Sequence, residues 1–293
     1  MTAAPDDRAL LDTEELVVFH DRASGLGAAI AIDDSTLGPA IGGVRWRRYP
    51  DEAAAVTEVR RLARVMTLKS ALAGIPSGGA KSVVFRPAPG VDEDARRRLM
   101  EAFGRAVKRL DGRYVPGLDM GTSLDDLRTM AKEAPGICVL EPSHATAVAL
   151  FAGIRAAASL HWPKGLVGRH VLVQGAGHVG SALAGMLTQG GATVTLDDVD
   201  TARAAEVARA VGGAVVEPDA VIGHACDVFA PCAVGRLVDA SSAGAFRCQL
   251  IAGAANDVLA HRDGAEALRA LGVDYVPDFA INSGGVIAIH AAR

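Results

Sequence analysis

Residues 168–198, GRHVLVQGAGHVGSALAGMLTQGGATVTLDD, limit the possible folds more than any other stretch of the chain. An apolar strand enters Gly175-x-Gly177-x-x-Gly180, a helix follows, and a second apolar strand ends in an acidic pair. That order is the phosphate-binding half of a doubly wound α/β domain. Gly175 permits a tight turn, Gly177 lets backbone approach a pyrophosphate, and Gly180 lets the helix pack closely on the sheet, while the helix N-terminus faces the phosphate charge. Three glycines mean little in a chain with 33 of them. The stronger signal is Asp198, 18 residues beyond Gly180 at the end of the next strand, where a ribose diol would be held. An ordinary glycine-rich strand-to-helix turn is the competing reading.

The rest of the chain alternates strands and helices. Residues 15–19 and 26–32 read as strands around Ser24-Gly25, and 51–68 as a helix with Leu62, Val65 and Met66 on one face, leading into a lysine-bearing loop. A strand at 82–86, a loop with Pro87, Pro89 and Gly90, a helix over 92–110, a strand over 113–118 and a helix over 124–133 complete the first half. Thr122 or Ser123 caps the last of these, and Asp125 and Asp126 suit its dipole. The boundary falls near 135–143, giving a first domain over 1–138 and a second over 139–293 that opens with a linking helix at 144–160. Strands at 170–174, 192–197, 227–230, 249–253 and 274–276, separated by helices, predict a mostly parallel sheet. The fold class is therefore α/β, an N-terminal α/β domain followed by a Rossmann-type dinucleotide-binding domain, with a ligand cleft at the carboxyl ends of the strands.

The length of 293 residues allows two ordinary cores, and the net charge of -4 offers no field for nucleic acid or an anionic membrane. These features point to a small substrate. Cys138, Cys226, Cys232 and Cys248 lack metal or disulfide spacing and read as reduced core thiols; no HExxH helix or clustered ligand spacing suggests a metal. The acidic N-terminus resembles no targeting signal and no apolar run is long enough for a membrane span, so a cytoplasmic location is expected.

Lys69 in MTLKSALAG and Lys81 in PSGGAKSVVF lie among small and apolar residues. A lysine so crowded loses proton affinity and can act as a base, while a neighbouring one remains a cation for an anionic substrate group. Asp119, in RYVPGLDMGTS, could orient a water, share a proton with Lys81 or hold a substrate ammonium; an Asx turn is the alternative. Asn256 and Asn282 follow strands of the second domain, where an amide can donate and accept together.

Taken in order, GPAIGGVR (38–45), MTLKSALAG (66–74), GGAK (78–81), DMGT (119–122), QGAGHVG (174–180), GAAND (253–257) and PDFAINSGG (277–285) resemble the amino acid dehydrogenases that act on leucine, valine, phenylalanine and glutamate, most nearly the leucine/phenylalanine branch. The resemblance implies reversible NAD-dependent oxidative deamination of an apolar L-amino acid to a 2-oxo acid and ammonia. It places Gly42, Gly43 and Gly117 at the substrate, the substrate carboxylate on Lys69, and acid/base work on Lys81 assisted by Asp119. Asn282 and Asn256 fall near the reacting end of substrate and nicotinamide; Gly175, Gly177, His178, Val179, Gly180 and Asp198 hold NAD. A homo-oligomer such as a dimer is also implied.

Two departures stand out. The sequence stops soon after SGGVIAIH without the additional C-terminal helices usual in the family, and GICVLEPSH (136–144) is shorter than the glycine-, serine- and proline-rich segment common there. The competing functions are an NAD sensor or scaffold, which has no need of Lys69, Lys81 and Asp119 together, and a 2-hydroxy acid dehydrogenase, which needs an acid/base histidine. His144, His161, His170, His178 and His224 carry no paired acidic motif of that kind.

Overall fold

The computed structural model describes residues 13–85 and 90–293; the acidic N-terminal segment and the Pro87/Pro89 loop lie outside them. The chain divides into two compact units, one comprising residues up to Pro142 together with Val286–Arg293, the other Ser143–Gly285. The sequence predicts a boundary at 138 with the last residues in the second domain. The final eight instead belong to the first unit.

In the first unit, five strands stand in the order β1-β2-β4-β3-β5. They are β1 (Glu15–Asp21), β2 (Leu26–Asp34), β3 (Ala40–Trp46), β4 (Gly79–Val84) and β5 (Tyr114–Leu118). β1 and β4 flank β2 antiparallel, whereas β3 runs parallel to both β4 and β5. Because side chains alternate across a sheet, β3, β4 and β5 each present two different surfaces. Ala40, Val44, Ala80, Val84 and Tyr114 form a core with Leu99, Met100 and Phe103 of α2 (Glu93–Lys108) and Leu127 and Met130 of α3 (Leu124–Ala131). The opposite surface carries Gly43, Arg45, Lys81, Val83 and Gly117, with Asp119 continuing the alternation past β5.

Helix α1 (Glu52–Leu72) covers that opposite surface. Asp51 caps it by accepting from the Ala54 N–H at 2.7 Å, and Ala55, Val59 and Ala63 pack against Ala29, Ala31 and Val83. The helix reaches the sheet at β4 so closely that a Cβ on Gly79 would lie 2.0 Å from the Thr67 nitrogen. Lys69 therefore belongs to the last turns of α1, not to a following loop. At the other end of the unit, Val286 and Ile289 of α9 (Gly284–Ala291) pack with Ile41, Ile75 and Val115.

The second unit is built on a six-stranded sheet in the order β11-β10-β9-β6-β7-β8, every pairing parallel. The chain enters at the centre with β6 (His170–Gln174), moves outward through β7 (Thr193–Asp197) and β8 (Ala214–Val215), then crosses back to β9 (Val228–Pro231), β10 (Leu250–Ile251) and β11 (Asp274–Tyr275). The direction of winding reverses between β6 and β9, and the glycine turn follows β6 at that switch point, where such sheets bind ligands. Val171, Val173, Val194 and Leu196 pack against α4 (Ser143–His161) and α5 (His178–Gln189). Leu172, Phe229 and Ile251 face a second cluster containing Phe246 and Leu268; Leu268 belongs to α7 (Asp263–Ala270), which follows α6 (Thr201–Val211), and a short α8 (Asp278–Ile281) precedes α9. Among the described residues no helix is long and apolar enough to cross a membrane, and no three potential metal ligands cluster.

Candidate active site

Lys81 sits at the centre of the sheet face under α1, its side chain 6% exposed. Its Nζ lies 2.9 Å from Asp119 Oδ2, and the same oxygen accepts from Arg45 Nε at 2.8 Å. Arg45 in turn donates through Nη1 to Glu58 Oε1, which also accepts from the Tyr49 hydroxyl at 3.2 Å. Two cations and two carboxylates thus form one continuous network built from β3, β4, α1 and the residue after β5.

Glycine is what makes room for it. A Cβ on Gly43 would lie 2.6 Å from the Asp119 Cβ, 2.9 Å from the Leu118 carbonyl oxygen and 3.2 Å from Lys81 Nζ. Gly42 faces the other way; a Cβ there would lie 1.7 Å from the Ala80 carbonyl oxygen, and its own carbonyl accepts from the Tyr114 hydroxyl at 3.0 Å. One glycine of the pair opens the site, and its neighbour lets β3 and β4 approach. Asp119 is further fixed by its backbone N–H, which donates to Thr122 Oγ1, and that hydroxyl donates to the Asp119 and Val44 carbonyls.

The protonation states follow from this burial and pairing. Burial is the largest influence on Lys81 and pushes it below its ordinary range; Asp119 opposes that fall and Arg45 adds to it. For Asp119 burial acts upward, but Lys81 and Arg45 together outweigh it and hold the carboxyl well below the usual range. The geometry thus combines a firmly ionised carboxylate with a lysine whose proton is loosened.

Lys69, 7% exposed, lies two helical turns beyond Leu62 on the sheet-facing stripe of α1. Gly117 is next to Gly43 in the β3–β5 ladder, and a Cβ on it would stand 3.2 Å from Ile289 Cδ1. The sequence motifs point to neither Glu58 nor Ile289 as part of the site. Glu58 was legible in principle, since it lies one turn before Leu62 beside the buried Ala55, Val59 and Ala63.

In the second unit, Gly175 has φ 99° and passes Ala233 so closely that a Cβ would approach its Cβ to 2.8 Å. A Cβ on Gly180 would meet the Gly175 carbonyl at 1.8 Å, whereas one on Gly177 would meet nothing within 4 Å. Gly177 is the N-cap of α5 and makes no side-chain cap bond. His178 and Val179 begin the helix; the Val179 side chain packs on the apolar core, so what its position offers a ligand is backbone N–H at a helix start. Asp198 Oδ2 accepts from the Ala176 N–H at 2.8 Å, which sets the carboxylate beside the glycine turn. Asn282 Nδ2 donates to Asn256 Oδ1 at 3.1 Å and to the Ala254 carbonyl at 3.0 Å, while its own buried Oδ1 has no partner. An open helix start, a carboxylate at the turn and an orphaned amide oxygen fit a dinucleotide with phosphates, a ribose diol and a carboxamide.

Two family models match the chain: the Glu/Leu/Phe/Val dehydrogenase dimerisation domain over residues 14–135, and the Glutamate/Leucine/Phenylalanine/Valine dehydrogenase domain over 201–291. Leucine dehydrogenase of Bacillus subtilis is 35% identical over 287 residues, 95% of this chain and 78% of that protein. The chain belongs to the Glu/Leu/Phe/Val dehydrogenase family. Valine dehydrogenase of Streptomyces virginiae is 37% identical, covering 94% of this chain and 80% of its own. The crystal structure of L-tryptophan dehydrogenase from Nostoc punctiforme superposes with a TM-score of 0.75 at 37% identity, covering 96% of this chain and 82% of that one. As a member of this family the chain is an NAD-dependent amino acid dehydrogenase, with a substrate domain followed by a Rossmann-like NAD-binding domain. Its reaction is oxidative deamination of an apolar amino acid to a 2-oxo acid and ammonia.

Proposed function

We propose that Lys81 is the general acid/base of this deamination, Asp119 its ionised partner and Lys69 the cation for the substrate carboxylate. The observation that carries the reading is the Lys81–Asp119 pair, 2.9 Å apart on a buried sheet face that Gly43 keeps open. Bound NAD supplies the hydride acceptor for the Cα hydrogen, which turns the amino acid into an iminium ion. Neutral Lys81 then takes a proton from the water that adds to the iminium carbon, giving a neutral carbinolamine and a lysine ammonium. That ammonium protonates the departing nitrogen, the hydroxyl proton returns to Lys81, and ammonia and the 2-oxo acid are released. Asp119 stays ionised throughout and keeps the ammonium form of Lys81 in place between the two transfers.

The same geometry supports a side-chain pocket for an apolar substrate. Gly117 faces Ile289, and Ile41, Val286 and Val115 join the same apolar cluster. Arg45, the arginine nearest the glycine pair, is held by Asp119 and Glu58 and so is a poor clamp for a glutamate side chain. Relatives named for leucine, valine and tryptophan agree with this choice. A steady-state panel of L-leucine, L-valine, L-phenylalanine, L-tryptophan and L-glutamate with NAD tests it; glutamate leading by kcat/KM would overturn the pocket. The dimerisation-domain match over 14–135 supports a homo-oligomer assembled through the first unit, which light scattering on the eluted protein would measure.

A further inference from the structure

We propose that Arg45, anchored by Glu58, is a positioning residue that holds the oxygen of Asp119 shared with Lys81, so that Asp119 stays ionised and fixed while Lys81 cycles its proton. The inference rests on the reading of Lys81 as the acid/base. A lysine and a carboxylate alone, buried 2.9 Å apart, would tend to share or exchange the proton or to separate when the lysine is neutral, because either change relieves an unpaired buried charge. Arg45 prevents this. Its guanidinium keeps its proton under all working conditions, and its Nε reaches the same Oδ2 at 2.8 Å. When Lys81 gives up its charge, Asp119 keeps a permanent counter-ion at the atom it already uses.

Arg45 must itself be held still, and Glu58 does that. Glu58 Oε1 takes the Arg45 Nη1 and the Tyr49 hydroxyl, and its Oε2 lies 3.5 Å from Arg47 Nη1. Arg45 is also 8% exposed, and its fork reaches two carboxylates from different elements, a geometry that a lysine at this position could not reproduce. The network has two positive and two negative groups when Lys81 is protonated. Removing Arg45 leaves excess negative charge around Lys81; removing Glu58 leaves excess positive charge.

The charged groups that bear on Lys81 are Asp119 after β5, Arg45 from β3 and Glu58 from α1, with Lys69 further along the same α1 stripe. β2 sets Ala29 and Ala31 against this part of β4, and Asp33 beyond them is engaged by Thr67 and Arg64. The two substitutions should therefore move Lys81 in opposite directions. A defect of folding or packing has no reason to do so.

The test reads Lys81 directly. Limited acylation of the full-length protein with acetic anhydride across a pH series, followed by mass spectrometry of the Lys81 peptide, gives the pH midpoint of its reactivity. Arg45→Gln should raise the midpoint by about one pH unit and Glu58→Gln should lower it by a similar amount, the scale of a charge a few ångströms away. Arg45→Lys should leave the midpoint within a few tenths of wild type yet lower kcat at unchanged KM on L-leucine, because charge is kept and the fork is lost. Unchanged midpoints in both glutamine variants, or shifts in one common direction, would overturn the inference; if Arg45→Gln fails to fold, the direction in Glu58→Gln decides alone. Lys81→Met assayed beside them separates the two claims: wild-type turnover in that variant refutes the acid/base role, whereas the acylation midpoints judge Arg45 and Glu58 whatever that outcome.

Discussion

Replacing Gly43 with alanine is the sharpest probe of how the site is built, because one methyl group tests the packing and the chemistry together. The added Cβ would sit 2.6 Å from the Asp119 Cβ, roughly 1 Å inside the ~3.5 Å at which carbon atoms attract best, and 2.9 Å from the Leu118 carbonyl oxygen. Neither neighbour is the free end of a flexible side chain. Leu118 is paired in the β3–β5 ladder and Asp119 is fixed by Thr122 through its backbone, so the strain has to move the Asp119 carboxylate away from Lys81 and Arg45. A displacement of that size at a reacting group costs on the order of 100-fold in rate, and overpacking of this kind costs about 1–3 kcal/mol of stability. The expected result for Gly43→Ala is a kcat fall of roughly two orders of magnitude, with NAD binding retained, since the glycine turn and Asp198 belong to the other unit. Stopped-flow or steady-state deamination of L-leucine, NAD titration by fluorescence and thermal unfolding would be measured together. Gly185→Ala serves as the control, because it lies within α5 with nothing inside 4 Å of its added methyl, and it should leave turnover unchanged. Turnover in Gly43→Ala within twofold of wild type would refute the claim that Gly43 exists to admit the Lys81–Asp119 pair.

Four further outcomes are expected. Lys81→Met should lose nearly all turnover while binding NAD, and wild-type kcat/KM for deamination should rise with pH through an acid limb below the ~10.4 of an unperturbed lysine, because burial lowers the Lys81 pKa and the base is its neutral form; a limb at the unperturbed value would contradict this. Lys69→Ala should raise KM for L-leucine far more than it lowers kcat, and an unchanged KM would remove its pairing with the substrate carboxylate. NAD should exceed NADP in kcat/KM because the proposed ribose ligand Asp198 is a carboxylate bonded beside the glycine turn, and Asp198→Ala should narrow that ratio; a wild-type preference for NADP would reverse the assignment. Gly117→Ala should shift preference from L-tryptophan and L-phenylalanine toward L-valine by about 1–3 kcal/mol in relative kcat/KM, with Ile289→Ala acting in the opposite sense, and parallel changes in both variants would show that the two do not face one pocket.

The second unit was the more legible half. Its fold is announced by local rules that a single chain obeys in order: strand, glycine turn, helix, strand, acid. The bounds of β6 agree with the sequence reading residue for residue, and α5 begins inside the glycine turn as that reading requires. The first unit hid the strand between β4 and β5. β3 carries Gly42 and Gly43, and paired glycines argue against a strand because they add no packing and much backbone freedom. Only the three-dimensional neighbours explain them, the Ala80 carbonyl for one and the Lys81–Asp119 pair for the other. Lys69 reads as a loop residue for a related reason: a charged residue next to a small one looks like the end of a helix, but α1 continues to Leu72 and turns only at Gly74, where φ is 66°. The last helix was missed because GGVIAIHA is apolar around most of its circumference and starts with two glycines, so it shows neither a polar face nor a start signal. Its Ile289 is the residue opposite Gly117, which is why half of the proposed side-chain pocket is not legible in the β5 motif alone.

The acidic pair at the end of β7 is one place where spacing alone points to a single residue: Asp198 rather than Asp197 reads as the ribose ligand. The two carboxylates differ in their surroundings. Asp197 is buried with one carboxylate oxygen lacking a partner, and burial followed by the charge of Asp198 pushes its carboxyl up. Asp198 is partly exposed and bonds the turn through Ala176 and its own loop through Asp200. A group whose charge is disfavoured contributes less to repelling a 2′-phosphate than one whose charge is bonded in place. We therefore assign discrimination between the two nicotinamide cofactors to Asp198 as a proposal, and the Ala176 bond gives its physical basis: a carboxylate held at the glycine turn would offer a ribose diol a fixed acceptor and a 2′-phosphate a fixed repulsion.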